Sequence, residues 1–218
     1  MDYEVSVFKG VPDSEGIEEL EQVVQNAGIV TIGNVSESVQ HENVHRSIEL
    51  SKRGRQSIYG PFFLDVDAEP IYFESDGNTP TDDAILRARE ISLGVLDLYK
   101  SEGVADEDIR VFFTGHKGFH IELIHQNMND MHFGGEYIDA RWRAEKARVQ
   151  ELLKIDEQSL ALIDIPKPMR RKRLNGSVNV WTGIQGVRRH KVTHVTDKVI
   201  ANISPTDLWT LSQVESEG

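Results

Sequence analysis

FFTGHKGFHIEL, residues 112–123, reads as strand, turn, strand. An apolar run meets two glycines, and an alternating apolar run follows, the pattern of a hairpin. An ordinary hairpin has no need of Thr114, His116, Lys117 and His120 packed into its turn. Gly115 and Gly118 let a backbone turn tightly and approach an anion closely. A hydroxyl, an ammonium and two imidazoles beside them are phosphate-binding chemistry. A single His on a strand is most often a core or surface histidine, but here two His, one Lys and two Gly share seven residues.

Upstream, FFLDVD (62–67) is an apolar strand carrying Asp65 and Asp67. Period two sends both carboxylates to one face, where they repel each other unless a cation offsets them or one is protonated. Taken alone, the pair is either a metal-ligand pair or a strand end facing water. Downstream, LALIDI (160–165) is a second apolar strand, carrying Asp164. Three carboxylates from two strands are a suitable oxygen set for two divalent cations in phosphoryl chemistry. Glu69 has the parity of a further ligand.

Further out, Asn78–Thr79–Pro80 predicts a helix with Thr79 as N-cap and Pro80 at N1, ending near Gly103. Strands are expected at 109–113 and 119–125, and a helix over 136–154 with Trp142, Val149, Leu152 and Leu153 on its apolar side. SEGIEELEQVVQNA (14–27) predicts a helix with Gly28 after its C-cap. IVTIG (29–33) and HRSIEL (45–50) read as strands and SKRGRQ (51–56) as a basic turn. One or two strands are expected within 192–203, then a short helix opening at Ser204–Pro205. The fold class is α+β or mixed α/β, with a mixed sheet flanked by helices. One domain spans 1–218: an N-terminal α/β part to about 58, a motif-bearing core over about 59–203, and a C-terminal helix and tail over 204–218.

Composition narrows the chemistry. The 218 residues include no Cys, which excludes disulfides, thiolate zinc sites and Cys nucleophiles. Any metal falls to Asp, Glu or His, and no structural zinc is expected. No apolar run nears a membrane span and no leader opens the chain, so a cytoplasmic place is expected. The net charge is −12, yet residues 165–191 hold eight Lys or Arg and no acid, leaving −20 for the rest. Such a strip is either a solvated basic loop or a local site for phosphates.

In this order, FFLDVD, TGHKGFH, and LID followed by RRKRLNGSVNVWTG resemble the motifs of the archaeo-eukaryotic primase superfamily. The likeness is strongest to the catalytic small subunit of DNA primase and spans about residues 59–187. It implies a primase or primase-polymerase core, a template-dependent nucleotidyltransferase acting on single-stranded DNA. Asp65, Asp67 and Asp164 are implied as catalytic ligands of two Mg²⁺ or Mn²⁺ ions. Thr114, Gly115, His116, Lys117, His120, Arg170, Arg173, Ser177 and Asn179 are implied to bind the incoming NTP or dNTP. Arg46, Arg171, Lys172, Arg188 and Arg189 are candidates for the nucleic-acid path. The sequence departs from the family at His116, where Arg is usual, at Asn179, where His is usual, and in lacking a Cys/His zinc module. A short core of this kind suits a prokaryotic cell, a virus or a plasmid that supplies a helicase or large subunit on separate chains. A gap-filling or end-joining polymerase of the same superfamily and a non-catalytic nucleic-acid-binding subunit are the competing readings.

Overall fold

A computed structural model describes residues 2–9, 18–26, 44–47, 49–50, 58–59, 62–123, 135–156, 159, 161–164 and 171–214. Expectations for 29–33 and 51–56, and for Arg170, lie outside these residues. The strands are β1 (Asp2–Lys9), β2 (Glu18–Asn26), β3 (Val44–Ser47), β4 (Glu49–Leu50), β5 (Ile58–Tyr59), β6 (Phe62–Ala68), β7 (Ile109–Phe113) and β8 (Gly118–Leu123). β9 (Ala161–Asp164), β10 (Arg171–Arg173), β11 (Val178–Gly183), β12 (Gly186–Lys191) and β13 (Thr193–Val195) follow. The helices are α1 (Asp82–Ser101), α2 (Gly135–Leu152), α3 (Asp197–Asn202) and α4 (Pro205–Ser212).

The protein is α+β. A five-stranded sheet runs β13-β7-β8-β6-β9, and a second sheet runs β10-β3-β1-β2. The expected mixed sheet is not found: every pairing among the described residues is antiparallel. The cause is the glycine hairpin. α1 links β6 to β7 in the same direction, but the turn at 114–117 folds β8 back between them. β6 likewise lies between β8 and β9, which α2 connects. Each helix therefore joins parallel strands that are never adjacent.

One face of the central sheet is apolar. Leu64, Val66, Val111, Phe113, Phe119, Ile121, Ile163 and Val195 are buried there and belong to one cluster with Ile85, Ala88, Val95 and Leu96 of α1. α1 presents these residues at helical spacing. Its N-cap is Thr81, whose hydroxyl accepts from Ala84 N at 3.3 Å, rather than Thr79. Thr79 is drawn into the preceding loop, where its hydroxyl donates to Asp76 at 2.6 Å, and Pro80 pairs back to Phe73. A Pro holds the residue before it extended, so the helix starts later. The helix closes with C-cap Glu102, and Gly103 follows at φ +89°. Gly94 of α1 admits Leu153 closely, and Val149 of α2 is buried, but Leu152 is exposed rather than on the packed side.

The helix expected over 14–27 is instead β2, paired along its length with β1. Leu20, Val23 and Val24 satisfy a helical period, but an isolated helix this short is marginal, and β-branched Val23 and Val24 suit a strand once β1 offers a partner. HRSIEL is divided between β3, which ends at Ser47, and β4, which begins at Glu49. Within 192–203 one strand, β13, is followed by α3. Ser204 caps α4 as expected, accepting from Asp207 N. Among the described residues no helix is long and apolar enough to cross a membrane.

Candidate active site

The opposite face of the central sheet carries the polar residues. Register places His194, Phe112, His120, Asp65 and Asp164 in one row across all five strands. Asp67 lies two residues beyond Asp65, opposite Gly118 and Leu162. Directly opposed residues share a face with Cβ atoms about 5 Å apart. Asp65 and Asp67, predicted from strand parity, and Asp164, predicted from the end of a second apolar strand, thus share one face. Glu69 is not among them, because β6 ends at Ala68 and Glu69 leads into a 3-10 turn.

Basic side chains face this cluster. Lys117 Nζ is 2.7 Å from Asp67 Oδ2, and Asp67 is almost fully buried. His120 Nε2 lies 3.4 Å from Asp65 Oδ1. Lys146 Nζ, from α2, lies 3.7 Å from Asp164 Oδ1. Burial lifts the Asp67 carboxyl above its ordinary value, against the pull of Lys117. Burial draws Lys117 down, but Asp67, aided by Asp65 and Asp164, more than offsets this and holds the ammonium above its ordinary value. Burial pulls the Arg173 guanidinium down to about 10, while the charges of Asp65 and Asp67 act to raise it. Arg173 stands on β10, so the second sheet contributes one cation to the acids of the first.

The turn is fixed by backbone and side chains. Ala68 N donates to Lys117 O at 2.8 Å, and Thr114 N donates to Gly118 O at 2.9 Å. Gly118 N donates to the buried Thr114 hydroxyl at 3.3 Å. Gly115 adopts φ +74°, and a Cβ there would lie 2.8 Å from His190 O. The β11–β12 ribbon grips the turn from outside. Asn179 Nδ2 donates to Thr114 O at 3.1 Å and Trp181 Nε1 donates to Gly115 O at 3.0 Å.

His116 does not join Lys117 at the acids in this arrangement. Its Nε2 bonds Asn78 O at 2.7 Å, and its ring stacks on Trp181 with centroids 4.4 Å apart. A carbonyl accepts only, so Nε2 carries the proton. Asn78 Nδ2 in turn donates to Thr182 O at 2.6 Å, tying the 76–79 loop to the ribbon. Ser177 is fully buried and donates to Leu174 O at 2.7 Å. Thr114, Ser177 and Asn179 therefore hold the turn and its flank together in this structure. Lys117, His120 and Arg173 are the predicted nucleotide-binding residues placed beside the acids.

Arg46, Arg171 and Lys172 lie on the paired strands β3 and β10, with Lys172 opposite Arg46 in register. Arg188, Arg189 and Lys191 lie on β12, where Arg189 and Lys191 are exposed. Sequence reasoning passed over Lys146, Asn78 and Trp181. Only Trp181 carried a signal, as a large aromatic inside the basic strip.

The donor set suits hard divalent cations, since all three acids offer oxygen. Among the described residues, no group of three acidic or His side chains stands at metal-ligand spacing, and Lys117 sits where a cation would compete for Asp67. No family model, no curated protein and no solved structure matches this chain.

Proposed function

We propose that this chain is a template-dependent nucleotidyltransferase, a primase or primase-polymerase core that makes or extends short strands on single-stranded DNA. The observation that carries the reading is the convergence on one sheet face. Asp65 lies directly opposite Asp164, Asp67 is two residues along, and the glycine turn and β10 bring Lys117 and Arg173 to the same acids. The resemblance of the motifs to archaeo-eukaryotic primases supports it.

Asp65, Asp67 and Asp164 would hold two Mg²⁺ or Mn²⁺ ions, which supply activation of a 3′-hydroxyl and charge stabilisation of the departing pyrophosphate. Lys117 and Arg173 offset charge on the triphosphate of an incoming NTP or dNTP. His120, held between Asp65 and Phe112 in register, offers an imidazole to the same face. The exposed basic edge of the ribbon is suited to a template backbone. A helicase or large subunit would act from a separate chain.

The test is synthesis without a primer. Purified protein receives a single-stranded template, Mg²⁺ or Mn²⁺ and labelled ribo- or deoxynucleotides, beside Asp65→Ala/Asp67→Ala. Short products from the wild type, reduced by at least roughly 10²-fold in the variant, are expected, since several kcal/mol of transition-state stabilisation go with the metal ligands. Extension only when a primer is added would assign a gap-filling polymerase. Inactivity in both formats would overturn catalysis by this chain alone.

A further inference from the structure

We propose that Lys117 is a resident counter-ion that keeps the carboxylate cluster closed to divalent cations until a nucleoside triphosphate arrives, so that metal and nucleotide load together. This rests on the reading of the face as a metal–nucleotide site and concerns the order in which that site fills.

Three observations carry it. The first is charge. Asp65, Asp67 and Asp164 face Lys117, Lys146 and Arg173, three acids against three bases. The site is balanced as it stands. Two divalent ions alone would leave it strongly positive in a partly buried place, which is costly. The about four negative charges of a triphosphate would restore the balance.

The second is position. Lys117 Nζ sits 2.7 Å from Asp67 Oδ2, on the acid with the least solvent access of the three. An incoming ion must therefore compete with an ammonium already in contact.

The third is freedom to move. The backbone of residue 117 is pinned by Ala68 N, and the neighbouring turn bonds hold Thr114 and Gly118. The Lys117 side chain itself is 36% exposed, against 8% for Asp67. A long flexible side chain on a fixed stem can leave Asp67 for a phosphate without disturbing the hairpin. Its alternative partner is the anion that the loaded state brings. Reciprocity then follows: whatever factor nucleotide adds to metal affinity, metal adds to nucleotide affinity.

The test measures Mn²⁺ binding by the full chain with no nucleotide and no DNA, from the electron paramagnetic resonance of free Mn²⁺. Lys117→Gln removes the charge and keeps a donor for Asp67. It should bind Mn²⁺ at least about tenfold more tightly than the wild type, as expected when one like charge leaves a half-buried ion site. Lys117→Arg should stay near the wild type. Adding Asp67→Asn to Lys117→Gln should abolish the gain. Equal affinities for wild type and Lys117→Gln would overturn the proposal while leaving the metal reading intact. No Mn²⁺ binding by either protein, with or without a non-hydrolysable triphosphate analogue, would overturn both. A measurement on the wild type stands beside these in case the variant does not fold. The Lys117 ammonium resonance should stay put with Mg²⁺ alone and shift with Mg²⁺ plus the analogue. A shift with Mg²⁺ alone would overturn the proposal.

Discussion

His116 shows how far a residue's role depends on what surrounds it. Its place in TGHKGFH implies a phosphate contact, yet its ring is stacked on Trp181 and its Nε2 donates to Asn78 O. Burial pushes its pKa down to about 4, so it is neutral near pH 7. The folded value lies below the unfolded value of about 6.5, so the unfolded chain takes the proton first. The stability this provides is complete above about pH 6.5 and is lost as pH falls from there toward about 4. At pH 5 the loss from His116 should be about 1–2 kcal/mol. His116→Gln keeps a donor and cannot titrate, so its stability should fall by that much less between pH 7.5 and 5. Urea denaturation at the two pH values checks this, and equal falls in both proteins would refute it. His190 and His194 are also depressed by burial and are present in both proteins, so most of their pH dependence cancels in the comparison. The acids were legible in the sequence because strand parity alone puts Asp65 and Asp67 on one face. The targets of His116 and Asn179 were not, because each bonds a backbone carbonyl far away in sequence whose position only the assembled fold defines.

At the scale of elements, the site depends on how closely β8 approaches β6. A Cβ on Gly118 would lie 1.8 Å from Val66 O and 2.8 Å from Asp67 Oδ1. Neither strand can yield without parting Lys117 from Asp67, because the obstructing atoms are backbone and a paired carboxylate. Gly118→Ala should cost about 3 kcal/mol or more, at the high end for overpacking. Gly94→Ala meets only the movable end of Leu153 at 3.2 Å and should cost about 1 kcal/mol or less. Urea midpoints for the two variants provide the comparison, and equal costs would show that the strand approach is not limiting. The element types of the core were largely readable, since β6, β7, β8 and β9 follow runs of apolar residues bounded by turns. Their arrangement was less so. Helix-linked strands suggest parallel neighbours, and only the hairpin's insertion of β8 between β6 and β7 makes the sheet antiparallel. β2 was misread because Leu20, Val23 and Val24 fit a helical period, while its long-range partner β1 decides the matter.

Over the whole molecule the charges are segregated, with +8 over 165–191 against −20 elsewhere. Within that strip Arg173 lies in the field of Asp65 and Asp67, whereas Arg189 and Lys191 stand exposed on β12. Beside them the ribbon tip exposes Ile184 (58%) and Val187 (64%). The ribbon is anchored from beneath, where Trp181 and Asn179 hold the turn and Ile184 N donates to Thr79. On the proposed function, a basic edge fixed to the glycine turn would hold a strand in register with the acids, while the acidic remainder repels it from other surfaces. Single-stranded DNA binding should therefore weaken with salt, by a slope of about 0.7 per phosphate contact. Arg189→Ala/Lys191→Ala should lower that slope by about 1.4, with a matching loss of affinity at low salt. The anisotropy of a labelled oligonucleotide across a salt series, without metal or nucleotide, reads both quantities. Both residues lie at the surface, so the fold should survive. An unchanged slope would place the strand on another surface, with the opposed Arg46 and Lys172 of β3 and β10 as the next pair to remove.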